Sequence, residues 1–315
     1  MVFLCCRGMM RILLVALLLI FSYASQAQQQ NGFDLKGSLI PIKDILHGGP
    51  PRDGIPSIDQ PVFQKADNYS FFSNNAQVLG VYHNGVAKAY PINILDWHEV
   101  VNDHFNGKPV SVTYCPLCGS GIAFNADVDQ GRNKEFGVSG LLYNSDVLLY
   151  DRSTSSLWSQ ILGQAISGPM KGKHLEIINT QRLSLGAWKQ QHPQTLILTT
   201  ETGHRRNYHT TPYGNYDQEN RTYFPITHSD DRFHKKEWVI GVEVKDAFKA
   251  YSIKKLSNLP QRSLVDEVGG ETITISWDQK AQHVMVKDSQ GNEIVGLQMF
   301  WFAWAAFHPE TEVYE

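Results

Sequence analysis

Apolar positions in this chain fall in short runs broken repeatedly by turn-forming pairs, a rhythm that predicts strands more than helices. Val78 to Tyr90 is apolar-rich on both sides of Asn84-Gly85, the residue pair that a tight type I′ hairpin favours. Val110 to Tyr114 and Ile273 to Trp277 alternate with period two, as half-buried strands do. Phe136 to Leu149 and Leu175 to Ile178 add further strands. Ile92 to His104, Leu183 to Gln191 and Phe300 to Phe307 read as short helices, the last two stopped before His-Pro because the residue preceding a proline resists the helical conformation.

The pattern also repeats. Val78 to Leu95 aligns without gaps to Val239 to Leu256, with eight of eighteen positions identical. The match resumes at Gly107 to Tyr114 against Gly270 to Trp277, and again in Ala187-Trp188-x-x-x-His192-Pro193 against Ala303-Trp304-x-x-x-His308-Pro309. Three collinear matches imply an internal duplication. The expected class is therefore strand-rich α+β: two related lobes of mixed or antiparallel sheet with short helices. The corresponding boundaries are a leader at 1–27, an N-terminal extension at 28–77, lobe one at 78–198, an inter-lobe segment at 199–238 and lobe two at 239–315. The inter-lobe segment is polar, rich in Tyr and His, and long for a plain connector. Such loops commonly form lids or supply ligands, with Tyr213, Tyr216, Tyr223, His204, His209, His228 and His234 on offer.

The leader is read from Ile12 to Phe21, an apolar run flanked by Arg7 and Arg11 and followed by Ser25-Gln26-Ala27 with small residues at the cleavage positions. Export to a periplasm is the expectation. Removing the leader takes two Arg and no acid from the 28 basic and 31 acidic residues, leaving a net charge of −5. That balance argues against nucleic acid as a partner. No later apolar stretch is long enough to span a bilayer.

Cleavage would also remove Cys5 and Cys6, leaving Cys115 and Cys118 as the only thiols. The second copy has Asp278-Gln-Lys where the first has Cys115-Pro-Leu-Cys118, so the chemistry is expected in copy one. Thiolates two residues apart ligate soft ions, and Cu or Zn is the expected metal. Two cysteines need further donors, for which His98 and His308 are the candidates, with Glu99, Asn102 and Asp103 orienting His98 from the same helix. The competing reading is thiol–disulfide exchange, with Cys115 as catalytic nucleophile and Cys118 resolving. Gly119-Ser-Gly121 discourages the helix such a motif usually opens. A third reading is a binding module whose disulfide merely clips a turn. Asp146, Asp151 and Arg152 bound an apolar run and read as ion-paired turn ends. The Gly48 to Gly54 segment reads as a turn-rich loop and a candidate cleft wall. The partner class implied is an exported protein or a metal-trafficking partner.

Gly48-Gly-Pro-Pro-Arg-Asp-Gly-Ile-Pro56, Trp97-His-Glu-Val-Val-Asn-Asp103, Thr113-Tyr-Cys-Pro-Leu-Cys-Gly119, Phe136-Gly-Val-Ser-Gly140, Asn144-Ser-Asp-Val-Leu-Leu-Tyr-Asp-Arg152, Pro212-Tyr-Gly-Asn-Tyr216 and Phe300-Trp-Phe-Ala-Trp304 occur in that order. Together they resemble the exported prokaryotic family catalogued as domain of unknown function 3179. The resemblance covers nearly all of the chain beyond the leader and implies membership without implying an activity.

Overall fold

The computed structural model describes residues 29–127, 135–281 and 283–314. The expected leader lies outside the described residues. Strands do form where the alternation predicts them, but the two-lobed α+β expectation is corrected. Helix accounts for only 13% of the structure, and five small sheets are arranged as the blades of a five-bladed β-propeller. Among the described residues the four α-helices, Ile92–His98, Leu185–Gln191, Ile253–Asn258 and Trp301–Phe307, have six or seven residues each. About two turns of helix span roughly 10 Å, enough to link strands and too little to form a covering layer.

Two sheets with matching order come from the duplicated segments. In the first tryptophan blade, Gln77–His83 and Val86–Pro91 form a hairpin through Asn84 and Gly85. Thr180–Ser184 pairs with the first of these strands, and Leu196–Leu198 lies parallel to the second. In the second tryptophan blade, Trp238–Val244 and Ala247–Ser252 make the hairpin, Gly296–Phe300 pairs with the first strand, and Glu312–Val313 lies parallel to the second. Each hairpin carries a buried indole on a side-chain-free position: a Cβ on Gly80 would collide with Trp188, and one on Gly241 with Trp304. Each indole donates to a threonine, Trp188 to Thr195 at 2.8 Å and Trp304 to Thr311 at 2.9 Å. Burying a tryptophan of some 200 Å² contributes roughly 5 kcal/mol at 25 cal/mol/Å², so these repeated contacts anchor both blades.

Next to the first tryptophan blade lies the cysteine blade, in the order Ile177–Ile178, Ser120–Asn125, Lys108–Cys115, Val100–Phe105. Its relative in the second half has the strands Ser263–Val268, Glu271–Asp278 and His283–Asp288. The helix expected over Ile92 to His104 stops at His98, and Val100–Phe105 is a strand. The fifth sheet, here the aspartate blade, has no counterpart. It runs Gln164–Ser167, Leu157–Ser159, Asp146–Asp151, Phe136–Tyr143, Ile45–His47. These strands, unique to the first half, prevent two equal lobes. One apolar core joins the cysteine, aspartate and second tryptophan blades, and it contains Cys115, Cys118, Trp158, Tyr216, Phe300 and Trp301.

Candidate metal centre and adjoining cavity

Cys115 ends its strand opposite Ser120, so Pro116 to Gly119 is the hairpin turn. The Cys118 N–H donates to the Cys115 carbonyl at 3.2 Å, which folds the two thiols toward one another. Gly119 closes the turn at φ +66°, a left-handed conformation, and a Cβ there would lie 2.6 Å from the Trp238 ring. The Phe300 N–H donates to the Cys118 carbonyl at 2.9 Å, tying the turn to the second tryptophan blade. Both cysteines are free thiols and buried.

The aspartate blade brings the third donor. Phe136–Tyr143 and Asp146–Asp151 are joined by Asn144 and Ser145, both at positive φ. Asn144 accepts from the Thr227 N–H at 2.7 Å and donates to the Ala306 carbonyl at 3.2 Å, and Ser145 donates to the Phe224 carbonyl at 2.9 Å. This pinned turn sets Asp146 against the thiols. Cys115 Sγ, Cys118 Sγ and an Asp146 carboxylate oxygen lie within 4.8 Å of one another. Asp146 is fully buried; its Oδ2 accepts the Ile161 N–H at 3.1 Å, while Oδ1 has no hydrogen-bond partner of ordinary geometry among the described residues.

Burial governs the electrostatics here. It pushes the Asp146 carboxyl from 3.8 up to about 8, and it raises both thiols, Cys118 the more strongly. Two further groups stand beside the cluster. Tyr216 is buried in the same core, its hydroxyl has no hydrogen bond of ordinary geometry among the described residues, and burial raises its pKa, with the cysteines' charge raising it further. Lys236 lies over the Tyr216 ring, donates to the Tyr216 carbonyl at 3.1 Å and is lowered to about 8 by desolvation, with Cys118 opposing that shift.

His98 and His308 are not brought to the cysteines. Among the described residues, the group that could hold an ion contains Cys115, Cys118 and Asp146 alone. His98 Nδ1 donates to the Pro56 carbonyl at 2.8 Å, which leaves Nε2 to accept the Tyr208 hydroxyl at 2.7 Å. Both ring nitrogens are occupied, and burial lowers the ring to about 4, so it stays neutral. His308 stacks on Phe248 at 4.2 Å and tilts against Trp304 at 4.1 Å. It repeats His192, which stacks on Tyr82 and packs 4.1 Å from Trp188. Its place in the duplicated motif is explained by packing.

The other polar residues sort clearly. Asn102 lies on a strand, not on the helix of His98, and bonds Asp59 and the Phe136 backbone. Asp103 holds Lys88 at 2.8 Å and accepts from Tyr90. Arg152 pairs with Asp53 and Asp59, as a turn-end charge should. Asp151 accepts from Thr154 and from the Trp158 indole. The Gly48 loop, together with Tyr213 and Tyr223, lines a cavity of about 450 Å³ whose wall includes Leu117 of the cysteine turn.

A family model described as a protein of unknown function (DUF3179) matches residues 52–311. The chain belongs to that family. The DUF3179 region contains every residue of the cysteine–aspartate cluster together with Tyr216 and Lys236. No curated protein and no solved structure matches the chain.

Sequence reasoning singled out the cysteines and read Asp146, which the structure sets beside them, as an ion-paired turn end. The available signal was an acid next to Asn144-Ser145, at the mouth of an apolar hairpin. Lys236 carried no signal, because its role depends on the face of Tyr216, twenty residues away in sequence.

Proposed function

We propose that this DUF3179 protein binds one zinc ion through Cys115, Cys118 and Asp146. The observation that carries the reading is the convergence of two buried free thiols and a fully buried carboxylate, one of whose oxygens has no hydrogen bond of ordinary geometry among the described residues. Buried carboxylates without compensation are costly, and a divalent cation supplies that compensation. The donor set favours Zn over Cu(I): thiolates suit both ions, but a hard carboxylate oxygen suits Zn. Two thiolates and a carboxylate carry three negative charges against two on the ion, and the Lys236 ammonium near Cys118 offsets the remainder. Three protein ligands leave a fourth position, as in zinc sites that hold water or a substrate.

Thiol exchange is the weaker reading. It needs an accessible, readily ionised nucleophile, whereas Cys115 is 1% exposed and its pKa is raised. Export through the N-terminal leader would place the chain where thiols oxidise, and a bound ion would protect the pair. The test is titration of chelator-treated protein with Co(II) as a spectroscopic stand-in for zinc. One equivalent should produce thiolate-to-metal charge-transfer absorption that zinc then displaces. A spectrum unchanged on addition of Co(II), with thiols still reduced, would overturn the proposal.

A further inference from the structure

The cavity beside the cysteine turn has none of the three proposed metal donors in its lining. Its body is apolar, with Leu117, Val138, Leu142, Val147 and Phe224 among its walls, and at about 450 Å³ it is the size of small-molecule pockets. Trp97, Tyr213 and Tyr223 add aromatic faces. Into this apolar space the helix Ile92–His98 and the residue after it bring two acids, Asp96 and Glu99.

Glu99 is held with unusual firmness. It caps the helix at φ +58°, a conformation costly for a side chain of its size, with its N–H on the Leu95 carbonyl and its own carbonyl accepting from the Tyr114 N–H, both at 2.8 Å. Its residue is 5% exposed, yet its carboxyl has one side-chain hydrogen bond among the described residues, from Tyr213 at 2.9 Å. Asp96 is partly compensated by a hydrogen bond with Thr211 and by the charge of Arg182; among the described residues no cation favours the Glu99 carboxylate, and the charge of Asp96 opposes its ionisation. Arg206 lines the cavity but is exposed, donating to the Arg205 carbonyl with its guanidinium 5.8 Å from the Trp97 ring.

We infer that this cavity binds a small organic cation, an amine or quaternary ammonium on an apolar body, with its charge at Glu99 and Asp96 and its body against the aliphatic and aromatic walls. An anion would meet two acids, and a neutral molecule would offer them no counter-charge. A bare metal ion would have no use for the apolar volume. Aromatic faces beside carboxylates are the surroundings that hold an ammonium group, through cation–π attraction and ion pairing together.

The experiment is calorimetric titration of the full chain, in chelator, with benzylammonium, butylammonium and tetramethylammonium, and with benzyl alcohol and benzoate as neutral and anionic isosteres. At least one cation should bind with one-to-one stoichiometry, and benzyl alcohol and benzoate should bind at least tenfold more weakly. Glu99→Gln should lose at least tenfold for the cation without any lowering of its thermal midpoint, since the amide replaces a buried carboxyl. Cys115→Ser should bind the cation as the unaltered chain does, which separates this site from the zinc proposal. Equal binding of the alcohol or benzoate, unchanged affinity in Glu99→Gln, or no binding by any cation up to about 10 mM, the weak end of specific recognition, would overturn the inference.

Discussion

Replacing Asp146 with asparagine should stabilise the metal-free protein and abolish its metal site in a single step. The carboxyl is fully buried and raised from 3.8 to about 8 by desolvation. A folded-state value above the unfolded one means that the folded form holds the extra proton. Stability is then intact below about pH 4 and is lost progressively as pH rises toward 8. At about 1.4 kcal/mol per pH unit, the penalty reaches about 4 kcal/mol at pH 7. Asparagine keeps an acceptor for the Ile161 N–H but brings an amide that needs partners of its own, so about 2 kcal/mol of net gain is expected at pH 7. Urea unfolding followed by tryptophan fluorescence, in chelator at pH 5, 6, 7 and 8, measures this directly. The difference between Asp146→Asn and the unaltered chain should be small at pH 5 and grow with each step. Glu99 and Asp96 titrate in both proteins and largely cancel in the comparison. A difference that stays constant with pH, or an asparagine variant less stable throughout, would show that the carboxylate is ionised and compensated in the folded protein, and would remove the physical reason for placing a cation there.

Other expectations follow from the same geometry. Zinc binding should release protons from the two thiols and the carboxyl, so calorimetry at pH 7 in buffers of different ionisation enthalpy should give two to three protons per ion; release of fewer than one would contradict the raised pKa values. His98→Gln and His308→Gln should each keep full zinc stoichiometry, because neither ring reaches the cluster; loss of metal in either would reinstate that histidine as a ligand. Gly119→Ala should lose at least about 2 kcal/mol in thermal unfolding, through its left-handed backbone and the 2.6 Å approach to Trp238; an unchanged midpoint would mean the turn relaxes freely. Asp278→Ala, at the corresponding turn of the second half, should leave zinc binding intact while Cys118→Ser eliminates it, and equal loss would deny the asymmetry between the halves.

The hairpins were legible because local chemistry determines them: Asn84-Gly85 sets its turn, and alternation over Val110 to Tyr114 sets the face each residue presents. Helix length was less legible. Ile92 to His104 has no proline or glycine to stop it, and the break comes from Glu99 adopting a left-handed conformation. The number of sheets was hidden for a different reason. Repeats reveal which segments resemble each other, but the strands from Phe136 to Ser167 match nothing and, with Ile45–His47, form a further blade. Within the site, Cys115 and Cys118 stand out because a short motif holds both. Asp146 does not, since its partners are thirty-one and twenty-eight residues away and its burial is decided by the packing of another sheet. His98 and His308 misled because imidazole is the usual companion of a cysteine pair, while here each ring is occupied by hydrogen bonds or stacking.

The most direct test of the zinc centre is native mass spectrometry with elemental analysis on protein purified from a periplasm without chelator or affinity metal. One zinc per chain, absent from both Cys115→Ser and Asp146→Asn, is the result this account predicts. A metal-free chain two hydrogens light would instead establish a Cys115–Cys118 disulfide and contradict the proposed metal centre.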